Sequence, residues 1–134
     1  MHDADALALA QRLYAALEQD DVTPFLDLCA PDAVVEYPAE GRLPYGGTWR
    51  GREGIGEFLE AHDAAEEILA FEPAEMDATD GTVLVIGFFE GRARPTGRTW
   101  STTFVHVLTM GDGRLARLRA FFDTAAAVEA HATD

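Results

Sequence analysis

The chain has no lysine and no asparagine, and only one serine and one cysteine. Without lysine there can be no Schiff-base chemistry, no pyridoxal phosphate anchor and no phosphate-binding P-loop. The serine, Ser101, lies in Thr99-Trp100-Ser101-Thr102-Thr103, which lacks the glycines of a nucleophile elbow. A lone Cys29 makes no disulfide within the chain and no cysteine metal cluster. In Leu26-Asp27-Leu28-Cys29 it reads as an inert thiol on the buried side of a short helix. His2, His62, His106 and His131 are scattered, with neither His-x-His nor His-Glu-x-x-His spacing, so no metal site is expected. Any chemistry falls to carboxylates, histidine, tyrosine or arginine, with no cofactor expected.

Long apolar runs are missing too. Val83 to Phe89 is far shorter than a bilayer span, and no membrane partner is expected. Residues 1–20 lack the basic and apolar regions of a secretory signal, so the expected compartment is cytoplasmic. Positive charge is scarce: 10 arginines face 24 acidic residues, a formal charge of −14. Such a surface repels phosphate backbones, and nucleic acid is not an expected partner. With 134 residues, 48% hydrophobic and 25% charged, the chain has room for one core, and residues 1–134 are expected to form one domain.

Leu7, Ala10, Leu13, Tyr14 and Leu17 make a helical stripe over residues 3–19, with Asp3 and Asp5 at its positive end. Asp20-Asp21 breaks it, and Thr23-Pro24 opens a short second helix to Cys29. Pro31-Asp32 turns the chain into the β-rich segment 33–37, which Pro38 stops. Residues 38–50 hold five glycines and prolines and read as a loop. Gly51-Arg52-Glu53-Gly54 leads into a third helix with Ile55, Phe58, Leu59 and His62 on one side. The period then changes to two: a weaker strand near 67–77 precedes three longer ones at about 82–92, 98–110 and 114–123. Arg92 to Gly97 and Gly111-Asp112-Gly113 are the hairpin connections. Helices followed by hairpins predict an α+β fold with an antiparallel sheet. Asp123-Thr124 before an alanine-rich tail reads as the cap of a terminal helix.

Five segments in order carry a family resemblance. They are Arg12 to Leu17 before the acidic break, Leu28 to Pro38, Trp49 to Ile55, Pro95 to Arg98, and Phe104 to Val107 running through Asp112-Gly113-Arg114-Leu115 to Phe121-Phe122-Asp123. Together they resemble the nuclear transport factor 2-like superfamily, and within it the SnoaL-like polyketide cyclase and ketosteroid isomerase-related branch. The resemblance implies a cone: a curved antiparallel sheet around a long N-terminal helix, with an internal cavity for a small hydrophobic molecule. It also implies a homodimer through the outer sheet face. Neither of two related activities transfers. The position of the ketosteroid isomerase aspartate base is Tyr37 here. Its helix-one tyrosine falls on Leu13, beside Tyr14, and its protonated carboxylic acid maps near Val105 or His106. The arginine and two aspartates of limonene epoxide hydrolase land on Gly87, Phe89 and Ala120.

Strand alternation, set in register by these relatives, points Val35, Tyr37, Trp100, Thr102, Phe104, His106, Leu118, Ala120 and Phe122 into the cavity. Tyr14, Trp49 and Phe58 complete the expected ligand-binding wall, and Tyr45 is placed in a lid over the mouth. The expected catalytic pair is His106, moving a proton, and Tyr37, donating to a carbonyl or oxyanion. Glu66-Glu67 reads as a solvated face, His62 as a rim residue, and Arg117 and Arg119 as outer-face groups suited to salt bridges across a dimer. Two functions remain open: cofactor-free isomerisation, cyclisation or hydration of a small hydrophobic carbonyl compound, and simple carriage of a hydrophobic metabolite.

Overall fold

The computed structural model describes residues 2–133. Its elements run α1 Asp3–Leu17, α2 Thr23–Leu28, β1 Cys29–Tyr37, β2 Gly47–Arg50, α3 Gly51–Ala65, β3 Glu66–Thr79, β4 Thr82–Ala93, β5 Thr99–Gly111, β6 Arg114–Phe121 and α4 Thr124–His131. Ala6, Leu9, Ala10, Leu13 and Tyr14 form the buried stripe of α1, and Ile55 and Phe58 the buried side of α3. One curved sheet takes all six strands in the order β2-β1-β6-β5-β4-β3. Its concave face closes over α1 and α3. The fold is α+β, as the hairpin pattern predicts.

The sheet is mixed rather than antiparallel. β1 pairs with β6 in parallel, Val35 opposite Leu118 and Glu36 opposite Arg119. Parallel neighbours need a long crossover, and everything from β2 to β5 supplies it. The glycine- and proline-rich stretch 38–50 is not all loop. Gly47–Arg50 pairs antiparallel with β1, Val35 opposite Trp49. Only four residues long and at the sheet edge, β2 is too short to show a period of two. β1 also begins earlier than its sequence suggests. Cys29 is its first residue and not part of a helix, with the register slipping between Cys29 and Val34 around Pro31-Asp32. Its thiol is fully buried and lies 3.4 Å from the Phe25 carbonyl.

The long strands β4 and β5 alternate cleanly, whereas β3 slips register against β4 between Ile68 and Ala70 and between Pro73 and Glu75. Val83, Val85, Phe89 and Ala93 of β4 face the core, and Trp100, Thr102, Phe104 and His106 of β5 lie on the same side. Two glycines admit bulky neighbours. A Cβ on Gly87 would sit 2.5 Å from both the Glu72 carbonyl oxygen and the Phe104 ring. On Gly91 it would sit 2.8 Å from the Phe89 ring and 3.0 Å from the Glu66 carboxyl carbon. Small residues on β4 thus leave space for rings on the inner face. Asp123 caps α4, its Oδ1 accepting from the Ala126 N–H at 3.0 Å. Arg117 and Arg119 are on the outer face but are paired within the chain, both to Glu36, at 2.8 and 3.4 Å.

Candidate functional site

The concave face holds a small, open-ended chamber of about 30 Å³ walled by Tyr37, Tyr45, His62, Phe71, Phe89, Trp100, Thr102, Phe104, His106 and Phe122. A far larger mouth of about 610 Å³ opens from it between α1, α3 and the sheet, so an organic occupant fills the mouth and reaches the chamber with one end. Tyr37, His62, Phe71, Phe89 and His106 border both spaces, and Val35, Phe58 and Leu118 line the mouth. The wall is dominated by aromatic rings. Tyr37 packs against Phe58 at 4.6 Å between centroids and Phe122 at 5.7 Å, and Phe89 against Trp100 at 5.1 Å. A flat apolar occupant suits such a surface, because rings offer large contact area with few rotatable bonds.

Tyr37 and His106 both border the chamber, but they do not touch. His106 is instead held by Tyr14, whose hydroxyl lies 2.7 Å from Nδ1 across 92 residues of sequence. The tautomer follows from satisfaction. We assign the Tyr14 hydroxyl as the donor, because the reverse would leave both its own proton and the Nε2 lone pair without a partner among the described residues; the ring proton then sits on Nε2. Burial pushes the imidazole down to about 3, so the ring is neutral at physiological pH. His106 therefore presents an N–H donor and does not carry charge. The same burial raises the phenols of Tyr37 and Tyr14, Tyr14 being raised further by its neighbour Tyr37. Both stay protonated. Tyr37 makes no hydrogen bond to any described residue.

Other expected ligand contacts sort by geometry. Tyr14 stands behind His106 rather than on the wall. Ala120 is opposite His106 in the sheet and buried, but it does not border the cavity. Trp49 lies off the cavity as well. Its Nε1 donates to the Tyr45 carbonyl at 3.1 Å and its ring rests on Phe58. Thr102 is on the wall with its hydroxyl fully used, donating to the Thr103 carbonyl and accepting from the Asp123 N–H at 2.9 Å.

Three residues depart from the sequence-based reading. Tyr45 is not in an outer lid: it is 1% exposed and forms part of the chamber wall. Glu66 is not solvated: it too is 1% exposed, and its Oε1 accepts from the Tyr45 hydroxyl at 3.0 Å and the Trp100 Nε1 at 2.9 Å. Burial raises its carboxyl, opposed by the Trp100 hydrogen bond, His131, Tyr45 and Arg94. His131 comes from α4, donates from Nδ1 to the Ala127 carbonyl, and places Nε2 3.7 Å from Glu66 Oε1. Glu66 Oε2 and His131 Nε2 are buried without a hydrogen-bond partner among the described residues. His62 is deeper than a rim position. Its ring lies 4.5 Å from that of Tyr45, and it makes no hydrogen bond to a described residue. Burial lowers it to about 4, with His131 adding to the depression and Asp63 opposing it. Among the described residues no cluster of three or more His, Cys, Asp or Glu side chains could hold a metal ion.

Residues 10–118 match the SnoaL-like domain family. An uncharacterized protein of Mycobacterium tuberculosis is 28% identical over 131 residues, 95% of each chain. Among solved structures, an NTF2-like protein from Burkholderia xenovorans LB400 superposes with a TM-score of 0.90 at 29% identity, over 98% of this chain and 99% of that one. TerC, co-crystallized with polyporic acid, superposes at 0.81 with 29% identity, over 95% of this chain and 98% of its own. The chain belongs to the SnoaL-like family of the nuclear transport factor 2-like superfamily.

Proposed function

We propose that the protein binds a small, flat, largely apolar carbonyl compound and polarises its oxygen for isomerisation, cyclisation or hydration. One observation carries this reading. The Tyr14 hydroxyl fixes His106 Nδ1, leaving the Nε2–H of a neutral ring on the wall of an aromatic chamber that Tyr37 also borders. Neutral donors in a low-dielectric cavity favour an oxygen on which negative charge develops, without the cost of burying a cation. A neutral imidazole used as electrophile is an established device for enolisation. His106 thus serves as a donor rather than as the group that moves the proton. The co-crystallized ligand of TerC makes polyporic acid a sensible first compound to test.

Binding can be followed by quenching of Trp100 fluorescence, comparing 2-tetralone with tetralin, the same bicycle without the carbonyl. The ketone should bind at least about fivefold more tightly, one hydrogen bond being worth about 1 kcal/mol. His106→Phe and Tyr37→Phe should each lower that preference, and the double variant should erase it. Equal affinity for the two compounds would remove the carbonyl reading. A carrier with no turnover is the second reading, favoured by the lack of a charged side chain on the chamber wall. Recovery of chemically altered ligand after incubation would exclude it. The outer sheet face is proposed to cover a second copy. On it Leu84 stands opposite Val107, Ile86 opposite Val105 and Val105 opposite Phe121, next to the Glu36, Arg117 and Arg119 cluster. Apolar rows flanked by both signs of charge can be self-complementary about a two-fold axis.

A further inference from the structure

We propose that His62 is the proton acceptor of this cavity, removing a proton from the carbon next to the carbonyl that Tyr37 and His106 hold. The inference rests on the carbonyl reading above and assigns the group that reading leaves open.

Elimination on the chamber wall leads to it. The titratable side chains there are Tyr37, Tyr45, His62 and His106. The two tyrosines are held protonated by burial, and the Tyr45 hydroxyl is already committed to Glu66. His106 has its Nδ1 lone pair occupied by Tyr14, so it can only donate. Glu66 and His131 are sealed behind Tyr45 and Trp100 and do not border the cavity. Asp20, Asp21, Glu60 and Asp63 border the mouth, but all four are exposed to solvent, and Asp63 is ion-paired with Arg94 at 3.8 Å. That leaves His62, a neutral ring with one nitrogen lone pair unclaimed, bordering both chamber and mouth.

Surroundings hold it in place without consuming it. The ring is wedged among Tyr45 at 4.5 Å, Phe58 and Phe89 at 6.2 Å, and Tyr37 at 6.4 Å. α3 fixes its backbone, and packing against rings leaves both nitrogens for an occupant. The step balances as written. The C–H bond next to the carbonyl breaks, its proton passes to the His62 lone pair, and its electrons form the enolate C=C. Negative charge on oxygen is met by the Tyr37 hydroxyl and the His106 Nε2–H. Return of the proton to the same or another carbon regenerates neutral His62, with nothing oxidised or reduced.

The test is exchange of the C1 protons of 2-tetralone for deuterium in D₂O near pD 7, followed by NMR, alongside its dissociation constant from Trp100 quenching. Wild type should accelerate exchange about 10²- to 10⁴-fold over buffer, the usual range for a positioned acid–base group. His62→Phe, which keeps a ring in the gap, and His62→Gln should both fall to the buffer rate with affinity changed less than about threefold. That retained affinity shows that the variants are folded. Free imidazole should restore part of the rate in His62→Ala. Tight binding with no exchange in wild type, or full exchange in His62→Phe, overturns the assignment and leaves the carbonyl site standing. If wild type does not bind 2-tetralone, the carbonyl reading fails and the base assignment with it.

Discussion

Lowering the pH from 7 to 5 should weaken the fold through two imidazoles, and the size of the effect can be worked out. Burial holds His106 at about 3 and His62 at about 4 in the folded chain, whereas an unfolded histidine titrates near about 6.5. Because both folded values lie below the unfolded one, protons bind the unfolded chain first as pH falls. Stability is complete above about pH 6.5 and is lost progressively down to the folded values. At pH 5, about 1.5 units below the unfolded value, each ring costs about 2 kcal/mol at about 1.4 kcal/mol per unit. Two rings together remove about 4 kcal/mol, a large share of a typical stability of about 5–15 kcal/mol. Glu66 works the other way: burial raises its carboxyl, so its contribution is present at low pH and lost as pH rises. Relief of the acidic surface acts in the same direction as Glu66. The histidine part is therefore read as a difference. Urea unfolding at pH 7 and pH 5 should show wild type losing about 2 kcal/mol more than His62→Phe, and about 2 kcal/mol more than His106→Leu, over the same interval. Imidazole NMR should find neither ring titrating between pH 5 and 8. A His106 signal with a midpoint near 6.5, or variants with the wild-type pH dependence, would refute the reasoning.

Tyr14→Phe removes the donor to His106 Nδ1 and should cost about 1–2 kcal/mol in urea unfolding. It should also weaken 2-tetralone several-fold, because Nε2 no longer has to carry the proton. Asp123→Ala deletes the cap on α4 and should cost about 1 kcal/mol by the same measurement. Gly87→Ala drives a methyl into the Glu72 carbonyl and the Phe104 ring, so a loss of about 1–3 kcal/mol together with weaker ligand binding is expected. Sedimentation velocity at micromolar concentration should find a dimer, converted to monomer by Phe88→Glu with Phe121→Glu, two rings exposed on the outer sheet face. A wild-type monomer would remove the outer-face proposal.

Much of the fold was legible because the signals are local. A 3.6-residue stripe marks α1 and α3, a two-residue alternation marks β4, β5 and β6, and Gly-Asp-Gly and Pro-Thr-Gly mark the turns between them. Alternation alone put Trp100, Thr102, Phe104 and His106 on one face of β5, since a strand has only two sides. Elsewhere the local signal is weak or misleading. Gly47–Arg50 is a strand only because β1 offers its edge, and β1 meets β6 in parallel only because the intervening chain returns on the far side of the sheet.

The site belongs mostly to that second category. Nothing near Glu66 in sequence distinguishes it from Glu67, yet one is sealed and the other is half-exposed in an ion pair with Arg92. What buries Glu66 is the gap at Gly91, the rings of Tyr45 and Trp100, and His131 arriving from the last helix. Tyr14 and His106 lie 92 residues apart and meet only because α1 fills the concave side of the sheet. Local sequence determined which segments become helices and strands and which faces are apolar, because periodicity is a property of neighbours along the chain. Which polar groups are paired, protonated or left free in the cavity was decided by the tertiary structure alone, because burial and hydrogen bonding depend on neighbours in space.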